Sequence, residues 1–276
     1  MTVTPSLRAG LETLRLGNGH ACVEVCPARG ALVTSFVSQG DELLFLDEAT
    51  FADTSKNVRG GVPILFPLAG AAPAGSAMKQ HGFARTAQWA QLEATDARIV
   101  LGLVSSAATR ALFAHDFELR YAIALEGAAL RLEWVVRNTG DDAWPLQLGL
   151  HPYFRVPVAQ KAKARVESDA TRAYDNRAKA FVEVTEPLPL GGGDEVDVHF
   201  LNHSSAGTVL HRGDGSAIRL EWSSTFHTLV TWTLPGQPFI CVEPWSSPSL
   251  PARDGAPLPM LRPGDEAKFE LLLRSS

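Results

Sequence analysis

The strongest constraint on the fold is a two-residue hydrophobic period. Leu130, Leu132, Trp134 and Val136 alternate with Arg131, Glu133 and Arg137. Phe117, Leu119, Tyr121, Ile123 and Leu125 alternate with Glu118, Arg120 and smaller residues, and Ile218, Leu220 and Trp222 alternate with Arg219 and Glu221. Successive side chains on a strand point to opposite faces, so each run predicts a strand with one apolar and one polar face. Such alternation belongs to antiparallel sheets with a solvated side, whereas buried parallel strands read as continuous apolar runs. The punctuation agrees. Gly40-Asp41, Asp96-Ala97, Glu126-Gly127, Gly213-Asp214-Gly215 and Pro235-Gly236-Gln237 are hairpin connections by residue type. One short helix is expected, around Ala107 to His115, and no βαβ repeat is visible. The expected fold class is all-β, a large antiparallel β-sandwich of two packed sheets.

With 45% hydrophobic residues in 276, the chain can bury a sizeable core. The loops at 67–75, 187–193 and 246–259 are rich in Gly and Pro, but none is long and polar enough to separate domains. A single β-sandwich domain over 1–276, with its core at about 11–274, is therefore expected, with the first few residues and the last two frayed. A formal charge of −5 argues against a nucleic-acid partner. Cys22, Cys26 and Cys241 are odd in number and form no C-x-x-C pair, so neither a disulfide framework nor a zinc knuckle is expected. Cys22 and Cys26 share strand parity and read as two buried thiols. The segment MTVTPSLRAG lacks the features of a signal peptide, and no apolar run approaches the ~20 residues that cross a bilayer. These features predict a cytoplasmic protein without a membrane partner, expected to be a monomer.

Four segments break the alternation: Arg59-Gly60-Gly61-Val62-Pro63, His81-Gly82-Phe83-Ala84-Arg85, His151-Pro152-Tyr153-Phe154-Arg155 and Val242-Glu243-Pro244-Trp245. Each sets a titratable group among apolar, Gly or Pro neighbours, where it is costly unless paired or used. Glu243 ends an apolar run and is followed by Pro244, which reads as a carboxylate at a sheet rim, either an edge charge or a functional group. His151 follows Leu146–Leu150 and is by itself as compatible with a structural histidine as with a working one. His81 lies in a loop. His20, His115, His199, His203, His211 and His227 read as surface or incidental. No H-E-x-x-H, G-x-S-x-G, phosphate loop or dinucleotide fingerprint is present, so no metal and no cofactor is expected.

Taken together and in this order, the four segments resemble the galactose mutarotase-like superfamily, the aldose 1-epimerases in the broad sense, from about Leu16 to Leu273. The branch most similar is the hexose-6-phosphate mutarotases, which carry a G-G-x-P stretch before the first histidine, as Gly60-Gly61-Val62-Pro63 does. The Asn-Arg motif of the galactose mutarotases is missing, and their H-x-Y-F-N is H-P-Y-F-R, with Arg155 last. The resemblance implies an antiparallel sandwich with a sugar site in an open cleft and exchange of α and β anomers. It implies Glu243 as catalytic base, His151 as acid and His81 as a second histidine that holds the sugar. Arg59 matches a substrate-binding arginine, and Asp197 an aspartate that binds sugar hydroxyls. Tyr153 and Trp245 offer faces for a sugar, as does Phe66, for which core packing is an equal reading.

Arg59, Lys79 and Arg85 gather near the first two motifs. They read as a phosphate site, or else as partners of acids such as Asp53 or Asp41. The expected partner is thus a small sugar or sugar phosphate. The alternatives are an epimerase of free hexoses, a non-catalytic carbohydrate-binding protein, or a sugar lyase or hydrolase on a related sandwich.

Overall fold

The computed structural model describes residues 2–249 and 251–276. Strands Phe117–Glu126 and Ala129–Asn138 form an antiparallel hairpin in which Ala129 faces Glu126. Leu119, Tyr121, Ile123, Leu130, Leu132, Trp134 and Val136 are all fully buried, on the face that the two-residue period assigned to them. The hairpin lies within an eight-stranded antiparallel sheet that runs from Arg165–Val166 at one edge to Ala90–Ala94 at the other. A five-stranded meander built from Thr2–Arg8, Leu11–Gly17, Ala21–Cys26, Leu32–Ser38 and Asp41–Glu42 packs against it. A further sheet follows the order Ala180–Glu183, Arg172–Asp175, Val196–Phe200, Thr228–Thr233, Phe239–Trp245, Gly149–Leu150 and Ile64–Leu65, with Tyr153–Arg155 also on Phe239–Trp245. The fold is an antiparallel all-β sandwich, with three large sheets around one apolar cluster that extends from Leu16 to Leu273. No helix among the described residues is long and apolar enough to cross a membrane.

The strand Phe239–Trp245 departs from the dominant pattern because every residue in it is buried. Ile240 and Val242 enter the main core, while Phe239, Cys241 and Trp245 pack on the opposite side. With both faces covered, the strand reads as an apolar run instead of an alternation. Pro244 does not stop it, which corrects the sheet-rim placement of Glu243. Trp245 O accepts the His227 N–H on the side of the neighbouring strand Thr228–Thr233. The backbone nitrogen of Pro244 therefore faces the other side, between the pairings of Tyr153–Arg155 and of Gly149. No ladder bond is lost there.

The helical expectations are also corrected. The helix at Ala107 covers only Ala107–Arg110, closed by a Ser106–Thr109 capping box. A second short helix, Glu48–Ala52, starts at Asp47, whose side chain accepts from Ala49 N and Thr50 N. One turn carries too little periodicity to read from sequence. The expected fraying does not extend to the described terminal residues: Thr2–Arg8 pairs along its length with Leu11–Gly17, and Ser276 N–H donates to Ala217 O. Cys26 is buried against Phe51 of the Asp47-capped helix, but Cys22 is only half-buried, on the strand face where Arg15 donates to its sulfur at 3.5 Å.

Candidate active site

The first motif is the scaffold for the next two. Gly61 O accepts the Tyr153 N–H at 2.9 Å, and Pro63 O accepts the His151 N–H at 3.0 Å. Farther along, Phe66 O accepts from Phe83 N at 3.0 Å and from Ala84 N at 3.2 Å. The approach at Gly82 is so close that an added Cβ would lie 2.1 Å from Phe66 O, at a φ of 69° that L side chains rarely adopt. His81 itself has φ 66°, an uncommon conformation for a residue with a side chain, and one that concentrates at functional sites. It is held from both ends by Gly70, whose carbonyl accepts the His81 N–H at 2.8 Å and whose N–H donates to His81 Nδ1 at 3.0 Å. The neutral ring therefore carries its proton on Nε2, 3.1 Å from the Gln80 side-chain nitrogen, and turning that amide over presents its oxygen as the acceptor.

These segments meet around a cleft of about 600 Å³ lined by Arg59, His81, Arg85, His151, Tyr153, Asp197, Glu243 and Trp245, among others. Other hollows of similar size lack such an assembly. One, of about 660 Å³ beside Leu7 and Leu14, has Glu12 as its only titratable lining residue. In another, of about 510 Å³, His203 is already engaged by Asp169 at 2.8 Å and by Gly207 O at 3.0 Å.

At the floor of the cleft, Glu243 Oε1 lies 3.4 Å from His151 Nε2. The Trp245 indole N–H donates to Glu243 Oε2 at 3.1 Å. The Tyr153 ring stacks on His151 at 4.7 Å and 13°, and His81 meets His151 edge-on at 5.7 Å. Glu243 is 1% and His151 8% exposed, so charge on either is expensive. Burial, with Asp197 nearby, raises the Glu243 carboxyl well above its usual range. Burial, with the Arg85 cation nearby, lowers His151 to about 3. Burial also lowers His81 well below an ordinary imidazole. At 3.4 Å the two groups lie close enough to share a proton. Nδ1 of His151 is buried without a partner.

Asp197 sits on the strand Val196–Phe200 opposite Trp232. Burial opposes its ionisation, but His199 and Asn176 outweigh this and hold the carboxyl below its usual range. Asn176 Nδ2 donates to Asp197 Oδ2 at 2.6 Å, and His199 Nε2 lies 3.5 Å from Oδ1. Reading His199 as incidental is corrected here. The ring is 2% exposed, lines the cleft and meets Trp245 edge-on at 5.1 Å. Parity with Asp197 on one strand was the available signal, but it needed the knowledge that this face is covered.

The cations divide. Arg59 and Arg85 line the cleft, whereas Lys79 is exposed and outside it, as is Arg155. Arg59 is set by the short helix: its N–H donates to Thr50 Oγ1 at 3.1 Å and its carbonyl accepts the Asp47 N–H at 2.9 Å. Arg85 donates to Gln80 O at 2.8 Å, and its Nε is buried without a partner. Lys179, from a hairpin turn that sequence reading passed over, also lines the cleft and donates to Asn176 Oδ1 at 3.0 Å. Asp41 pairs with Arg212 and Asp53 with Lys56. Among the described residues no carboxylate lies within 4 Å of Arg59, Arg85 or Lys179.

Residues 12–274 match the aldose 1-epimerase family. A relative from Cenchrus ciliaris named "Putative glucose-6-phosphate 1-epimerase" is 32% identical over 196 residues, 66% of this chain and 57% of that protein, so the chain spans little more than half of it. Among solved structures, the Slr1438 protein from Synechocystis sp. PCC 6803 superposes with a TM-score of 0.89 at 32% identity, covering 100% of this chain and 98% of that one. A galactose mutarotase-like protein from Lactobacillus casei has the same fold at 21% identity and a TM-score of 0.78, covering 96% and 100% of the two chains. With the motifs assembled in one cleft and the family match spanning nearly the whole length, this chain belongs to the aldose 1-epimerase family.

Proposed function

We propose that this protein is a mutarotase that interconverts the α and β anomers of a hexose 6-phosphate, working as one sandwich domain. The observation that carries the reading is the buried Glu243–His151 contact of 3.4 Å at the cleft floor. Anomer exchange requires one proton to leave the anomeric hydroxyl and one to reach the ring oxygen. The ring C–O bond then breaks to give an aldehyde, the C1–C2 bond rotates, and closure reverses each transfer. A pair that shares one proton always has one site to give from and one to take with. With the sugar's hydroxyl at Glu243 and its ring oxygen at His151, new hydrogen bonds favour the ionic form, Glu243 carboxylate with His151 protonated. Glu243 is then the base and His151 the acid. His81, neutral and locked by Gly70, holds a sugar oxygen through Nε2–H, and Asp197 holds hydroxyls. Tyr153 fixes the plane of His151, while Trp245 offers a sugar face and fixes the Glu243 carboxyl.

The phosphate reading rests on Arg59, Arg85 and Lys179, cations in the cleft without a carboxylate partner. The name of the Cenchrus ciliaris relative supports it. A charge-assisted contact contributes roughly 1.5–3 kcal/mol, so kcat/KM for α-glucose 6-phosphate should exceed that for α-glucose by ~10- to 1,000-fold. Polarimetry on freshly dissolved anomers, with the uncatalysed rate subtracted, measures both. Arg59→Ala or Arg85→Ala should reduce the advantage, and added salt should narrow it. Equal use of the free sugar would sink the phosphate reading and make the protein a general aldose 1-epimerase. No catalysis of either would leave a sugar-binding protein.

The pH profile tests the shared proton. The working pair carries one proton. It gains a second only as pH falls through the depressed His151 value of about 3. It loses its only proton as pH rises through the elevated Glu243 value. The acid limb of kcat/KM should therefore lie near the His151 value, with no fall around ~4.3, where an ordinary glutamate would be half protonated. An acid limb centred in that ordinary range would show that Glu243 titrates alone.

A further inference from the structure

Cys241 lies two residues before Glu243 on the strand Phe239–Trp245, so both side chains leave the same face of the sheet. His151 approaches them from the segment between Gly149–Leu150 and Tyr153–Arg155. One ligand atom from each of His151, Cys241 and Glu243 lies within 4.8 Å of the other two. Cys241 is a free thiol, and His151 Nδ1 is buried without a hydrogen-bond partner. Nothing in the proton-transfer chemistry uses Cys241. An imidazole, a thiolate and a carboxylate form a donor set that zinc and cadmium accept in tetrahedral sites, with the fourth position open. Ligand atoms around such an ion lie roughly 3.3–3.8 Å apart, given bond lengths of ~2.0–2.3 Å. The three groups need to close by only about 1 Å, within the reach of side-chain torsions.

We propose that His151, Cys241 and Glu243 form an inhibitory site for a soft divalent cation, Zn²⁺ or Cd²⁺, at the cleft floor. The ion enters through the sugar cleft, because His151 and Glu243 line it, whereas Cys241 is fully buried beside them. The Cys241 thiol and the Glu243–His151 pair each release a proton to solvent. The thiolate, the carboxylate and an imidazole lone pair then bind the ion. No electron changes hands. Both proton-transfer groups become ligands, so anomer exchange stops until the ion leaves. The inhibitory half rests on the mutarotase reading, but the binding half does not.

The test is titration of the full-length protein with cadmium chloride, in a Cys22→Ser background that removes the half-exposed thiol. Binding is followed by the ultraviolet sulfur-to-cadmium charge-transfer band and by calorimetry, and activity by polarimetry. The expected result is one ion per chain, appearance of the band, loss of mutarotation, and recovery of both signals on adding EDTA. Cys241→Ser, which changes one atom in a packed site, should keep its basal turnover, lose the band and bind cadmium at least ~10-fold more weakly. Loss of an outer partner of a metal ligand alone costs ~10–100-fold. If Cys241→Ser does not fold, His151→Gln read by calorimetry must weaken binding by a similar factor. An unchanged band or affinity in these variants, no binding at all, or binding that leaves turnover intact would each overturn the proposal. Were the protein to lack mutarotase activity, the band and the stoichiometry would still decide the site.

Discussion

Glu243→Gln should fold normally and lose ~10²–10⁴-fold in turnover, the usual contribution of a positioned general base. Glutamine keeps the shape of the side chain, and its amide oxygen can still accept the Trp245 indole N–H that now reaches Glu243 Oε2 at 3.1 Å. What it removes is the atom that takes up a proton and the partner with which His151 shares one. Thermal melting should be little affected, because a buried neutral amide replaces a carboxyl that burial already keeps from ionising easily. The measurement is kcat on glucose 6-phosphate by polarimetry beside a melting curve. Near wild-type turnover in a folded variant would remove Glu243 from the reaction.

His151→Gln should cost a similar factor in kcat with a small change in KM, since protonation of the ring oxygen belongs to the transition state. His81→Ala should act more on KM, because the neutral His81 ring offers only a hydrogen bond to the bound sugar. The sharper expectation concerns the double variant. If Glu243 and His151 work as one unit around a shared proton, Glu243→Gln combined with His151→Gln should be no more than about tenfold slower than the slower single variant. Multiplication of the two losses would show two independent groups. Small and equal effects of His151→Gln and His81→Ala would remove the division of roles.

The strand hairpins were legible because a sheet with one wet face alternates at every position, as in Leu130–Val136 and Phe117–Leu125. The four motifs were legible because each breaks that pattern with a costly polar group. Their mutual support was not. The carbonyls of Gly61, Pro63 and Phe66 hold the segments of Tyr153, His151 and Phe83 across long sequence separations, and a carbonyl has no sequence identity to read. Lys79 and Arg85 looked alike in a linear cluster, but the chain turns at His81 and leaves Lys79 in solvent. The cleft takes Lys179 instead, from a hairpin about a hundred positions later.

The sequence by itself determined the all-β antiparallel class, the hairpin positions and the four motifs whose polar residues had to be paired or used, because local periodicity and side-chain chemistry are properties of neighbouring residues. Only the tertiary structure decided which of them share a cleft, and that burial moves Glu243 up and His151 down. It also decided that His199 faces Asp197 while Arg155 faces solvent. These depend on what covers each face of a strand, and covering is supplied by segments far away in the chain.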